Sequence, residues 1–151
     1  MTLVAGPVSL KTHHPAIKRI DVESAGEMYQ AAMTAFPSSD AAILCAAVAD
    51  YRPENASEQK IKRETEREMT LHLVPNPDIA ASLGAIKREG QVMVGFALET
   101  NDEATHAEGK LKRKNLDFIV LNSLRDQGAG FRCDTNKITI IDKEGGRSLI
   151  R

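Results

Sequence analysis

A chain of 151 residues is long enough for one domain with a real core, and 20 Lys plus Arg against 21 Asp plus Glu leave no global field favouring nucleic acid or a membrane surface. Two cysteines make no disulfide framework and point to a reducing compartment; no apolar run approaches a membrane span, and no secretory signal opens the chain. These exclusions predict a cytoplasmic globular protein whose partners include neither nucleic acid nor membrane.

Thr2-Leu3-Val4-Ala5-Gly6-Pro7 reads as an interior strand and its exit turn. With so abrupt an opening, this strand is either a sheet edge or has lost upstream neighbours. Residues 11–16 form a polar, proline-bearing connector in which His13 and His14 are adjacent, a poor spacing for two metal ligands on one face. Ile20-Asp21-Val22 is short and extended. Ser24-Ala25-Gly26-Glu27 fits a capping box, and the helix it opens runs to about Phe36 on a stripe of Met28, Ala31, Ala32 and Ala35, until Pro37-Ser38-Ser39 ends it.

Residues 40–63 form the centre of the chain. The run 41–49 is almost continuously apolar, the pattern of a strand buried on both faces, with Cys45 packed inside it. It ends abruptly in Asp50-Tyr51-Arg52-Pro53, and about ten residues after the acid come Lys60, Lys62 and Arg63. In open parallel sheets ligands sit beyond the carboxyl ends of strands, where this acid and these cations fall. A capped strand followed by a solvated basic loop fits the same residues.

Residues 69–74 alternate like a strand with one solvated face, His72 on the polar side. Pro75-Asn76-Pro77-Asp78 is a helix start with Asn76 as N-cap and Pro77 in the first position; Ile79, Leu83 and Ile86 carry the helix to about Arg88, and Gly90 closes it. A second buried strand spans 92–97, where Gly95 marks a close approach by ligand or backbone. Thr100-Asn101-Asp102-Glu103 is another capping box, opening a helix to about Asn115 that ends in Lys110, Lys112, Arg113 and Lys114. A third apolar strand covers 116–122. After a Gly-rich loop at 127–132, residues 137–142 alternate like an exposed-edge strand, and Gly145-Gly146 reads as a hairpin turn. Strand and helix alternate through most of a single domain, so the expected architecture is α/β: a Rossmann-like, doubly wound, mostly parallel sheet with a C-terminal antiparallel extension.

Several sites are excluded. No glycine pattern ends in Gly-Lys-Ser/Thr, and Gly128-Ala129-Gly130 lacks the third glycine of a dinucleotide fingerprint, which argues against an oxidoreductase using flavin or nicotinamide. What remains is a set of cations near strand ends. Lys110 and Lys114 lie four apart on one helix face, where solvation explains them, or where a polyanion bridges them to the Lys60 cluster. Polyphosphate suits lysine, a movable point charge. Asp50 would then hold a divalent metal on the phosphates or accept from a ribose hydroxyl, and Phe96 packs on a base or sugar, or is plain core.

Ordered along the chain, Ala46-Ala47-Val48-Ala49-Asp50-Tyr51-Arg52-Pro53, Lys60-Ile61-Lys62-Arg63, Asn76-Pro77-Asp78-Ile79, Gly95-Phe96-Ala97-Leu98-Glu99-Thr100 and Lys110-Leu111-Lys112-Arg113-Lys114-Asn115-Leu116-Asp117 closely resemble the phosphopantothenoylcysteine synthetase family, and TLVAGPVSL at 2–10 matches as well. In bacteria this is usually the C-terminal half of a bifunctional coenzyme A biosynthesis flavoprotein. The resemblance implies CTP-dependent ligation of 4′-phosphopantothenate and cysteine through an acyl-cytidylate, with Mg2+. It implies contact between nucleotide and the strand end around Ala46 and Asp50, a catalytic Lys60 closing over the triphosphate, and a pocket completed by Pro77, Asp78, Ile79, Ala80, Phe96, Lys110 and Lys114. CTP and ATP both stay open, because base readout in such a pocket is largely by backbone atoms.

Asp78 departs from that picture, since an acid in the first helical turn would repel a phosphate there; this helix start is expected to meet sugar or base, or to offer backbone amides only. Arg63 stands where lysine is usual and keeps the charge. The family begins with a further strand, glycine-rich turn and helix, and ends with a further helix. The chain is therefore expected to be an N-terminally truncated synthetase domain that binds nucleotide without completing the reaction. The alternative is a non-catalytic nucleotide-binding or assembly module. The family's full-length members dimerise, so a homodimer is expected, with strand 137–142 a participant through its exposed edge.

Overall fold

The computed structural model describes residues 1–57, 59–61, 69–99, 103–123 and 137–150. The chain opens on a parallel pair, β1 (Thr2–Ala5) and β2 (Lys18–Asp21), registered Thr2 to Lys18 through Ala5 to Asp21. The capping box then starts α1 (Ala25–Ala35) where the sequence predicts it. Ser24 Oγ accepts from the Glu27 amide at 3.1 Å, and Glu27 Oε2 accepts from the Ser24 and Glu23 amides at 3.0 and 2.7 Å. These two amides hold the Glu27 carboxyl below its ordinary range. A single 3-10 turn, Phe36–Ser38, ends the helix and buries Phe36.

Next come β3 (Ala41–Leu44), the short antiparallel pair β4 (Tyr51–Pro53) and β5 (Leu73–Pro75), α2 (Ile79–Ile86), β6 (Val92–Glu99), α3 (Glu103–Arg113), β7 (Phe118–Ser123), β8 (Ile138–Asp142) and β9 (Arg147–Ile150). Five of these strands form one sheet in the order β3-β6-β7-β8-β9, parallel from β3 to β7 and antiparallel beyond. The fold is mixed α/β, with parallel strands at its centre and an antiparallel extension from the C-terminal hairpin.

One face of this sheet carries the core. Met93 and Ala97 of β6 and Ile119 of β7 pack beneath Leu83 of α2 and Ala107 and Leu111 of α3, and Phe36 joins the same cluster. Ala107 and Leu111 stand four apart on one helical stripe, the spacing that lays both onto a flat surface. The opposite face exposes Val92, Phe96, Leu98 and Phe118, each between about a third and a half accessible. The runs 41–49 and 92–97 are therefore not strands buried on both faces. In β6 buried and exposed residues alternate, because among the described residues the helices pack one side only.

Other expectations also need correction. The run 41–49 is strand only to Leu44; β3 ends the order of its sheet and leaves Ile43 68% exposed. Beyond Leu44 the chain leaves the sheet, so Cys45 is exposed rather than packed. Strand 69–74 shrinks to β5, which takes in Pro75 because Tyr51 of β4 pairs with it there. Strand 137–142 is no edge: β9 pairs along its outer side, and Ile141 is fully buried. The glycine turn before β9 is as expected, with Gly145 at φ 91° and the Gly146 amide on Asp142 Oδ1 at 2.8 Å. The capping box at 100–102 and the loop at 127–132 lie outside the described residues, as do Lys62, Arg63 and Cys133.

Gly95 has a packing explanation. A Cβ there would stand 2.7 Å from Leu116 Cδ1, so the close approach is made by a core side chain rather than a ligand.

Candidate functional site

The carboxyl end of β3 lies against the middle of β6, where the last register pair joins Leu44 to Gly95. Ala46, exposed, lies two residues past Leu44, and Phe96 follows Gly95 directly. Phe96 is 45% exposed and points to the open face of the sheet, away from α2 and α3; it is not plain core.

From Ala46 the chain runs to Asp50, where it is tied to a segment 26 positions away. The Asn76 side-chain amide donates to the Ala49 carbonyl at 2.8 Å, and the Asn76 backbone amide donates to the Asp50 carbonyl at 2.8 Å. Arg52 Nη1 completes the knot, donating to the Pro75 carbonyl at 2.9 Å and to Asn76 Oδ1 at 3.1 Å. The sequence predicts Asn76 as a helix N-cap, but its side chain is committed to this knot. The N-cap falls to Asp78, whose Oδ1 accepts from the Ala81 amide at 3.0 Å. The helix starts at Ile79, two residues later than Asn76 as cap implies, and ends at Ile86 rather than Arg88, with Gly90 at φ 83° in the turn beyond.

Asp78 also reaches α3. Its Oδ2 stands 3.0 Å from Lys114 Nζ. Burial pushes the Asp78 carboxyl upward, but the Ala81 amide and the hydrogen bond and charge of Lys114 outweigh it, so the carboxyl sits below its ordinary range. Lys110, half-buried, lies one turn earlier, its carbonyl accepting from the Lys114 amide at 3.0 Å. Pro77 is exposed, and Ile79 and Ala80 are half-buried at the start of α2.

One end of the sheet thus brings together Asp50, Asn76, Pro77, Asp78, Ile79, Ala80 and Lys114, with Ala46 at the same strand end. Lys60 is exposed on the connection between β4 and β5. The hairpin that carries this connection is tied at its foot by the Asp50–Asn76 knot and at its far end by the Glu54 amide donating to the His72 carbonyl at 2.9 Å, where the Lys60 segment begins. Phe96 is the sequence-predicted residue set apart, on the other side of β6 from the Asp78–Lys114 pair.

Among the described residues no group of three or more His, Cys, Asp or Glu could hold a metal ion. An all-protein cage is therefore not built there. A single exposed carboxylate such as Asp50 fits magnesium carried on a nucleotide, since that ion keeps waters and takes one or two carboxylates besides phosphate oxygens.

Sequence reading missed the opposite end of the sheet. Asp117, buried before β7, accepts from Lys87 Nζ at 2.6 Å, from the Met93 amide at 2.8 Å and from Lys143 Nζ at 3.3 Å. Burial raises its carboxyl, but the two lysines and the amide prevail and hold it low. Gln91 is buried nearby and donates to the Phe36 and Ser39 carbonyls at 3.1 and 2.6 Å. A cavity of about 310 Å3 beside Asp117 is lined by Val92, Phe118, Asp142, Lys143 and Glu144. The carboxylates of Asp117 and Asp142 are already spent on lysines and turn amides, so this cavity offers a ligand little. The one local signal was an acid opening an apolar strand.

Comparison with known proteins covers almost the whole chain. Residues 1–150 match the family described as DNA/pantothenate metabolism flavoprotein C-terminal domain. The chain is 58% identical over 143 residues to a cysteine/cysteine sulfinic acid decarboxylase from an unknown prokaryotic organism, covering 95% of this chain and 40% of that protein. It is 47% identical over 150 residues to the coenzyme A biosynthesis bifunctional protein CoaBC of Vibrio parahaemolyticus, covering 99% of this chain and 37% of that protein. The crystal structure of the C-terminal domain of a coenzyme A biosynthesis bifunctional protein CoaBC superposes with a TM-score of 0.78 at 31% identity, covering 99% of this chain and 64% of that one. The chain thus spans about two fifths of the length of these two curated relatives.

Proposed function

This chain belongs to the DNA/pantothenate metabolism flavoprotein C-terminal domain family, and from that premise we propose that it is the nucleotide-binding part of a phosphopantothenate–cysteine ligase of coenzyme A biosynthesis. The proposed reaction uses CTP. The carboxylate of 4′-phosphopantothenate attacks the α-phosphorus, the bond to the bridging oxygen breaks, and pyrophosphate leaves an acyl-cytidylate. The cysteine amine then attacks the acyl carbon, CMP departs with the bonding pair, and the amine proton passes to solvent.

The observation that carries this reading is the joining of three distant segments at one end of the strands: Asp50 to Asn76 through the backbone, and Asp78 to Lys114 through an ion pair. Lys110 and Lys114 would offset triphosphate charge from one side. Lys60, on the connection between β4 and β5, would close from the other and stabilise the departing pyrophosphate as its charge develops. Ala46 and the amides around Pro77, Ile79 and Ala80 would meet base and sugar, and Phe96 would bound the pocket from the open face. Magnesium on the nucleotide supplies further charge neutralisation, with Asp50 the residue that would hold it. A reducing, cytoplasmic setting suits these substrates. Should the chain form a homodimer, the pairing edge would be β9, whose residues are exposed, rather than β8.

We further propose that this chain binds nucleotide without completing ligation alone. Calorimetric titration with CTP and ATP, with and without magnesium, tests binding; an assay for phosphopantothenoylcysteine tests turnover. CTP binding without turnover is the expected result. Robust turnover by this chain alone would overturn the second proposal, and absence of nucleotide binding would overturn both. A non-catalytic binding module is the other reading. Joining the chain to the remaining part of a CoaBC relative's C-terminal domain restores ligation only if the ligase reading holds.

A further inference from the structure

Asp78 sits badly beside a triphosphate if it faces the ligand, yet both its oxygens are already engaged. Oδ1 caps α2 through the Ala81 amide at 3.0 Å, and Oδ2 holds Lys114 Nζ at 3.0 Å. Meanwhile the Lys114 backbone is fixed six residues further along α2. A Cβ at Gly84 would overlap the Lys114 carbonyl, the Asn115 side-chain amide donates to the Gly84 carbonyl at 3.0 Å, and Lys87 Nζ donates to the Asn115 carbonyl at 3.1 Å. Asn115 turns the chain there with φ 51°. Six residues of helix rise about 9 Å. The Lys114 side chain is therefore drawn out along α2, from an anchor at Gly84 to a carboxylate at the helix start. A cation left unguided at the end of α3 would sample many rotamers, and ordering it on binding would weaken affinity.

We propose, on the nucleotide reading above, that Asp78 is a positioning residue for Lys114 and does not itself touch the ligand. It holds the ammonium at the rim in the orientation the phosphates require. The pair is accessible, with Lys114 side chain 28% and Asp78 side chain 49% exposed, so it adds little to stability and its consequence is geometric.

A double-mutant cycle decides this. Asp78→Asn keeps a side-chain oxygen to cap α2 while removing the charge that holds Lys114. In calorimetry it is expected to weaken magnesium–CTP binding about tenfold, as Lys114→Ala does. The double variant is expected to bind no more weakly than Lys114→Ala alone, and cytidine, lacking phosphates, should bind all four proteins alike. Additive losses would mean that Asp78 contacts the ligand directly, and tighter binding by Asp78→Asn would mean that it only repels the phosphates; either overturns the proposal. A wild type that binds no CTP overturns the nucleotide reading on which it stands, a result distinct from an additive cycle.

Discussion

The two ends of the sheet use the same residue types to opposite ends. At the base, Asp117 lies between Lys87 and Lys143 with the Met93 amide as a further donor, and Asp117 and the Lys87 side chain are both about nine-tenths buried. At the rim, Asp78 meets Lys114 with half of its side chain in solvent, and Asp50 and Lys60 are exposed. A carboxylate ringed by donors in a closed setting has no capacity left and can only hold the fold together. Acids and lysines left accessible at strand ends contribute little to folding but can exchange partners with a ligand. Burial of the pair, rather than the pairing itself, separates a structural clamp from a candidate site.

Substitutions at the base should therefore damage stability, and those at the rim binding. Asp117→Ala leaves Lys87 buried beside no counter-charge and is expected to lower stability by about 3 kcal/mol, or roughly 6–12 °C in Tm, read by thermal unfolding. A loss below about 1 kcal/mol would break the contrast between the two ends. Gly84→Ala, where α2 meets the end of α3, should cost about 1–3 kcal/mol by overlap with the Lys114 carbonyl, and should also weaken CTP because it displaces Lys114. It is the one variant expected to move both readouts.

Lys60→Ala is expected to weaken CTP about tenfold while leaving Tm unchanged within error. Smallest is a pH effect. Asp117 and Asp78 both have carboxyls held low in the folded state, so the unfolded chain binds the more protons as pH falls. Their stabilisation is complete above about pH 5 and is lost as pH drops below the ordinary carboxylate value near 4 and through the folded one. Urea unfolding from neutral pH to acid should show this slope reduced clearly in Asp117→Asn and only slightly in Asp78→Asn, whose carboxylate is half exposed.

Legibility in the sequence followed the range of each interaction. The capping box of Ser24 and Glu27, the stop at Pro37 and the turn at Gly145 depend on residues within a few positions, and all stand in the structure as read. Asn76 was misread because its local surroundings fit an N-cap, while its true partner, the Ala49 carbonyl, is 27 positions away. The clamp at Asp117 is not legible in the sequence for the same reason, its lysines lying 30 and 26 positions off. Exposure of β3 and β6 was unreadable because an apolar run does not state how many faces its neighbours cover. At the candidate site the residues were legible as types, but the pairing of Asp78 with Lys114 needed the packing of α2 on the end of α3.

The most direct test is to titrate magnesium–CTP into isotope-labelled protein and follow backbone amide shifts. The account predicts that the largest changes fall together on Ala46, Asp50, Lys60, Ile79, Ala80, Phe96, Lys110 and Lys114, while Asp117 and Lys143 stay still. Changes centred on Asp117 and the cavity beside it, or on Lys60 without Lys110 and Lys114, would contradict it.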